Sequence, residues 1–450
     1  MAVAAALPMK RMSTLEQFYL SFFWLSSNVL WGAVLIVLVQ SQVIRMVPDA
    51  IKGTAVGLAV GLGSVSGILL PPFMGAWSDR AKFKMGRRRP FMLIGTAINL
   101  LGLAGLAYFP FVSANPLWGF TVAFWYFVGA YLVTNFSSNF ATAPYAALMP
   151  DSVTPEQRGA ASGWLGLMTI LGTLLGVLLA GSIVNSTAPL ADFKNQIFLV
   201  YTVIGVVLIV GVLVTVFGTP ETPLTTKPKP FVWSEFWAGL VNPFRSRDFF
   251  WVFFTRLLVM MGIFSILNFL VFYMRDVVVN FVAFGTTLAT TAEGAVSFVL
   301  LLLLVFGVLS SIFGGQLSDK YGRKLLVYIS GGAMALAAVG LIATHEYVFA
   351  LVIGAVFGIG YGAYTSVDWA LATDVLPNMD DAAKDMGIWH IALTFPQLIA
   401  TPVAGFLLDT GQRLGKAQGM PTLGYTIMFG AAIVYFVLGT VFVSRVKKAR

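Results

Sequence analysis

Twelve stretches of the chain are almost wholly apolar: 17–46, 54–77, 91–110, 117–147, 159–184, 195–217, 248–273, 293–316, 325–343, 347–374, 386–409 and 423–444. A bilayer core asks for about 20 mostly apolar residues per helix. None of the stretches alternates apolar and polar residues as a barrel strand does. The pattern predicts an all-α integral membrane protein with twelve transmembrane helices. The first apolar run is too long for a cleavable signal peptide and lacks a small-residue cleavage site. Composition agrees, with 58% hydrophobic and only 10% charged residues among 450.

Polar residues inside these stretches fall at helical spacing. In the fourth, Asn135, Ser138, Asn139 and Thr142 stand at i, i+3, i+4 and i+7. The tenth repeats that spacing with Tyr361, Tyr364, Thr365 and Asp368. Polar stripes this regular are costly against lipid and are expected to face water, solute or another helix. The first stretch sets Trp24, Asn28 and Trp31 on one face, and the eleventh sets His390, Thr394 and Gln397 on another. Aromatic plates beside amides suit sugar rings, whose faces are apolar and whose rims carry hydroxyls. Asp368 is the one acid far from a helix end, with Asp374, Glu293 and Asp409 at the margin. Arg256, in the seventh stretch, is the one deep base and lies at a comparable depth, so the two are expected to pair. An intramembrane ionisable residue is a functional candidate by default.

The remaining charge reports orientation. With the N-terminus inside the cell, inward segments hold 21 of the 28 Lys and Arg and outward segments hold six. This positive-inside bias predicts cytoplasmic termini; the membrane expected is the plasma (inner) membrane. The bias also accounts for the net charge of +9 without a nucleic-acid partner. Two His and no Cys leave no metal site and no nucleophile pair, so neither enzyme activity nor a cofactor is expected.

The basic cluster has an internal order. "GAWSDRAKFKMGRRRPF" (75–91) returns as "GGQLSDKYGRKL" (314–325), between the eighth and ninth helices. "PYAALMPDSVTPEQRGAASGW" (144–164) matches "DWALATDVLPNMDDAAKDMGIW" (368–389), with Pro150 and Pro377 at an offset of 227 and Trp164 and Trp389 at 225. Thr142 and Asp368 stand 226 apart. Two homologous halves follow: residues 1–218 and 248–450, each six helices, joined by a cytoplasmic linker at 219–247. Pro71, Pro72, Pro396 and Pro402 are read as kinks, and Gly163, Gly166, Gly172 and Gly176 as close-packing positions.

The repeated Gly-x-x-x-Asp-base…Gly-Arg-base loop resembles the signature of the major facilitator superfamily over nearly the whole chain. Its long spacing, from Ser78-Asp79-Arg80 to Gly86-Arg87-Arg88-Arg89-Pro90-Phe91, is similar to the plant sucrose transporters and their animal relatives. With Pro144-Tyr145 it also resembles the glycoside–pentoside–hexuronide cation symporters. Residues 54–77 contain no Asp, so the sodium coupling of that second group is not implied. The resemblance implies two pseudo-symmetric bundles that alternate access around a central site. It also implies a latch: Asp79, with Arg80, Gly86 and Arg87, against the start of helix 11. Its mirror is Asp319, with Lys320, Gly322 and Arg323, against the start of helix 5 near Arg158. The function expected is secondary transport of a mono- or disaccharide by a monomer, with a proton as coupling ion. A drug or lipophile exporter and a facilitative uniporter are the alternatives, the first disfavoured because the fifth helix lacks a Gly-Pro pair.

Overall fold

The computed structural model describes residues 11–219, 221, 233, 237, 241–375 and 382–447, without the side chains of 150, 155, 158, 373 and 382–390. Its long helices are α1 (Thr14–Val43), α2 (Lys52–Arg80), α3 (Arg89–Tyr108), α4 (Val122–Ser152), α5 (Arg158–Ile183) and α6 (Leu190–Gly218). The second set comprises α7 (Arg247–Leu267, continued by Leu270–Tyr273), α8 (Ala292–Tyr321), α9 (Arg323–Ala343), α10 (Tyr347–Asp374), α11 (Ala382–Gln418) and α12 (Leu423–Phe442). Among the described residues, eleven helices are long and apolar enough to cross a membrane. α4 is also long, at 31 residues, but its Asn, Ser and Thr stripe lowers its hydropathy.

Starts and stops follow local chemistry. Ser13 and Glu16 form a capping box at α1, while Thr121, Ser246 and Thr291 cap α4, α7 and α8 through their hydroxyls. Gly86 and Gly322, at φ 104° and 97°, turn the chain between α2 and α3 and between α8 and α9, a backbone that favours glycine. Two apolar segments depart from the helical expectation. Residues 116–121 form a small hairpin with Trp118-Gly119 at its tip, so α4 begins five residues later than its apolar run. α7 breaks at Asn268–Phe269. Pro71, Pro72, Pro396 and Pro402 lie within continuous helices.

The two six-helix sets meet along α2–α11 and α5–α8. On α2, Gly53, Gly57 and Gly61 are spaced by four and lie against Gly405, Pro402 and Leu398 of α11. A Cβ on Gly57 would stand 2.6 Å from Pro402 Cα, so the seam admits only hydrogen there. Gly172 and Gly176 of α5 pack in the same way on backbone carbonyls of α1, whereas Gly163 and Gly166 face open space.

We call the side at which the described chain begins and ends the near face, and the opposite side the far face. Among the described residues, hydrogen bonds between the two sets lie in the far half. Asp409 of α11 accepts from Gly53 N at 3.0 Å and Thr54 N at 2.6 Å, capping the first turn of α2. Glu293 of α8 accepts from Ser41 Oγ at 2.9 Å and Ser186 N at 3.0 Å. Ser297 donates to Val177 O at 3.0 Å, Arg275 pairs with Asp49 at 2.8 Å, and Lys52 pairs with Asp276. These contacts bridge the two sets on the far face.

Candidate functional site

The deep charges meet. Asp368 of α10, 1% exposed, forms an ion pair with Arg256 of α7, 7% exposed, and accepts a hydrogen bond from Tyr364 OH at 3.2 Å. Tyr364 is one helical turn before Asp368, so the stripe spacing delivers the hydroxyl to the carboxylate. Tyr361 is half-buried one turn further along α10, and Thr365 donates to Gly362 O at 3.1 Å. Breaking a buried ion pair by removing one partner typically costs about 3–5 kcal/mol.

The other half presents amides, hydroxyls and indoles. Trp31 Nε1 of α1 donates to Ser138 Oγ of α4 at 3.1 Å, so the same pairing of helices recurs, α1 with α4 and α7 with α10. Trp24 Nε1 donates to Thr169 of α5 at 2.7 Å, and its ring stacks on Tyr145 with centroids 5.8 Å apart. Asn28, Asn135, Asn139 and Thr142 each donate to the carbonyl four residues earlier, at 2.7 to 3.0 Å. Those bonds hold the side chains against their own helices and fix their rotamers. Gly67 of α2 marks where the halves approach, since a Cβ there would lie 3.6 Å from both Asn139 Nδ2 and Thr394 Cγ2. Gln397, one turn beyond Thr394 on α11, is half-buried. His390, on the same face, has its side chain outside the described residues, as has Arg158.

At the near face the repeated loop is organised around a residue that motif reading did not single out. Arg88, 3% exposed, bonds Ser78 Oγ, Asp79 at 2.5 Å and Asp151, at the end of α4, at 3.1 Å. In the second half Arg323 bonds Ser318 at 3.1 Å, Asp319 at 3.0 Å and Asp374, at the end of α10, at 2.6 Å. Arg88 therefore plays the part of Arg323, and Arg87 adds a second contact to Asp151 at 2.6 Å. The extra arginine in "GRRRP" obscures this equivalence. Placing Asp151 and Asp374, both at the ends of stripe-bearing helices, beside the loop would have suggested it. Asp79 and Asp319 have half or more of their side chains exposed and pair with arginines of their own half. Glu221, from the linker, accepts from the Arg88 backbone N at 2.8 Å and lies against Gly86, where a Cβ would stand 2.3 Å from its carboxylate. Lys320 lies exposed beside Tyr321, and Arg80 donates to Ala76 O at 2.6 Å.

Known proteins with similar features are transporters. A family model described as MFS/sugar transport protein matches residues 1–379. The human Proton-associated sugar transporter A is 30% identical over 171 residues, 36% of this chain and 22% of that protein. The chain thus matches about a fifth of that relative's length. Sucrose transport protein SUT5 of Oryza sativa subsp. indica is 23% identical over 404 residues, 76% of this chain and 73% of that protein. Among solved structures, a D-xylose-proton symporter aligns with a TM-score of 0.66 at 16% identity, over 96% of this chain and 98% of its own. A bacterial homologue of the lysosomal transporter Spinster, described as inward-facing and unoccupied, aligns at 0.69 and 14% identity, over 96% of both chains. These structural likenesses concern the fold.

The loop geometry ranks its arginines. Arg88→Met leaves Asp79 and Asp151 short of a partner that is itself buried. It is expected to cost about 2 kcal/mol, the buried-pair figure reduced because Asp79 is half exposed. Arg87→Met is expected to cost less than about 1 kcal/mol. Thermal unfolding of both variants in one detergent checks the order, and an equal or reversed ranking contradicts the assignment of Arg88 as the hub.

Proposed function

Because this chain belongs to the MFS/sugar transport protein family, we propose that it carries a mono- or disaccharide across a bilayer by alternating access, coupled to a proton on Asp368. Members of the family are transporters, and the chain is not an enzyme. The observation that carries the coupled reading is the buried Asp368–Arg256 pair between α7 and α10. A proton on Asp368 cancels the attraction that holds these helices in their present relation. It loosens the hold of Arg256 on α10, so that the guanidinium can turn toward a sugar hydroxyl or follow a rearranged helix. The names of the relatives support the solute class, since they include proton-associated and sucrose transporters.

In this reading the sugar lies between the halves. Trp24 and Trp31 offer apolar plates, and Asn28, Asn135, Ser138, Asn139 and Thr142 face its hydroxyls. Tyr361, Tyr364, Thr365, His390 and Gln397 close the other side. The basic near face is cytoplasmic, so a sealed far face corresponds to the inward-facing state. Residues 1–218 and 248–450 move as two bodies on the 219–247 linker of a monomer in the plasma (inner) membrane. On the swing outward, Asp79 and Asp319 exchange their present arginine partners for the helix starts of α11 and α5. There the unpaired amides favour a carboxylate by about 0.3–1 kcal/mol when exposed and up to ~2 when partly buried.

Asp368→Asn separates coupling from passage. In proteoliposomes the variant is expected to lose accumulation driven by a pH gradient while retaining sugar exchange. Accumulation that survives the substitution assigns the proton elsewhere. The solute contacts are tested by Asn135→Ala and Asn139→Ala. Each is expected to weaken sugar binding about threefold to tenfold, as a lost neutral hydrogen bond does, with folded yield unchanged. Unaltered affinity in both variants moves the site away from α4.

A further inference from the structure

Gln40 lies near the far end of α1, fully buried, and none of the sequence motifs draws on it. Its carboxamide reaches into the other half. Nε2 donates to Leu267 O at 3.4 Å as well as to Ile36 O at 2.6 Å. Oε1 accepts from Val271 N at 3.0 Å and Phe272 N at 3.3 Å. In an unbroken helix Val271 N would donate to Leu267 O, four residues earlier. Here both groups turn to the same carboxamide, which stands in the gap between them. This is where α7 breaks, at Asn268–Phe269. Side-chain insertion into the i→i−4 ladder is one of the few physical causes of a sharp helix break, and no proline is present between 248 and 290 to supply another.

We infer that Gln40 is a positioning residue that couples the shape of α7 to closure of the far face, an inference that rests on the alternating-access reading above. While the far face is sealed, the carboxamide satisfies Leu267 O, Val271 N and Phe272 N and holds the break open. When the halves part there, Gln40 withdraws with α1. Val271 N must then return to Leu267 O and Phe272 N to Asn268 O, because unmet backbone groups inside a membrane are costly. The helix heals as the gate opens. The break therefore marks the closed far face and contributes to its stability. α7 also carries Arg256, about three turns nearer the other face, so a change in its course reaches the ion pair.

Gln42 provides the control. It is equally buried two residues further along α1, but it donates to Leu106 O at 3.0 Å and accepts from Tyr201 OH at 2.6 Å, both within its own half. The chain contains no cysteine, so paired spin labels can be introduced cleanly. Trp118→Cys labels the tip of the 116–121 hairpin and Phe284→Cys the tip of a matching hairpin at 282–287 in the second half, both exposed on the far face; Lys82→Cys, in the loop after α2, and Tyr321→Cys, at the end of α8, label the near face. In purified full-length protein, Gln40→Leu is expected to raise the population with the longer far-face distance about tenfold relative to the parent, the effect of losing two or three neutral bonds in one state only. The near-face distance should shorten in step. Gln42→Leu should lower thermal stability without moving either distribution. Unchanged far-face distances in Gln40→Leu, or an equal shift in Gln42→Leu, overturn the inference. If Gln40→Leu does not fold, Gln40→Asn, one methylene too short to span the gap, is read by the same criteria. Asp79→Asn separates the two levels of the argument. Should it move the near-face pair while Gln40→Leu moves nothing, alternating access stands and the clasp fails; if no variant or added sugar moves either pair, the transport reading itself fails.

Discussion

A guanidinium inside a bilayer must be answered by an acceptor, and that requirement organises the centre of this molecule. Insertion scales put a central Arg or Asp at about 2.5–3.5 kcal/mol each, so neither Arg256 nor Asp368 is tolerable alone. Their union on α7 and α10, with Tyr364 on the same carboxylate, meets that demand. The opposing half meets the same depth with the neutral pair Trp31–Ser138, which does not titrate. The result is an asymmetric site on a symmetric frame, with one side suited to charge and the other to hydroxyls and apolar ring faces.

The seam between the halves serves a different demand, that of closing firmly and yet parting. Glycines at every fourth position of α2 let α11 approach until backbone meets backbone, a contact of shape alone that breaks without leaving polar groups behind. At the far end, polar links of a particular kind take over. Asp409, Glu293 and Gln40 each accept backbone N–H groups contributed from across the seam or beside it. The donors to Asp409 and Glu293 lie at a helix start and in the turn between α5 and α6, where backbone N–H groups lack helical partners, so water can take over when these side chains leave. Gln40 is the exception, being placed at a helix break instead of a helix start. Its donors can be met by closing the helix.

Much of this was legible in the chain. Long apolar runs gave the helices, because a membrane permits few alternatives to an internally bonded backbone. The Asp368–Arg256 pairing was legible for the same reason that makes it central, the cost of isolated charge. Repetition gave the paired loops, in which Arg88 and Arg323 gather equivalent partners. What escaped were features that depend on long-range contact or on local turns written in apolar letters. Trp118-Gly119 reads as the start of a helix until Thr121 is recognised as its cap. No proline announces the break in α7, and the carboxamide bonded across it lies on α1, 227 residues away from Leu267. Arg88 was hidden beside Arg87, because three successive arginines leave the register undecided. Asp409 and Glu293 stand at the margin of the helix-end acids in sequence, and their burial comes from contacts across the seam.

The most direct measurement of the central claim is the number of protons taken up when a sugar binds. Calorimetry of the purified protein, repeated in buffers of different ionisation enthalpy between about pH 5 and 8, reads that number without a membrane or a gradient. If occupancy of the site and protonation of Asp368 favour one another, uptake approaches roughly one proton per sugar within that interval, by linkage. The same titration of Asp368→Asn gives none. Sugar binding with no change in bound protons at any pH across the interval contradicts the account.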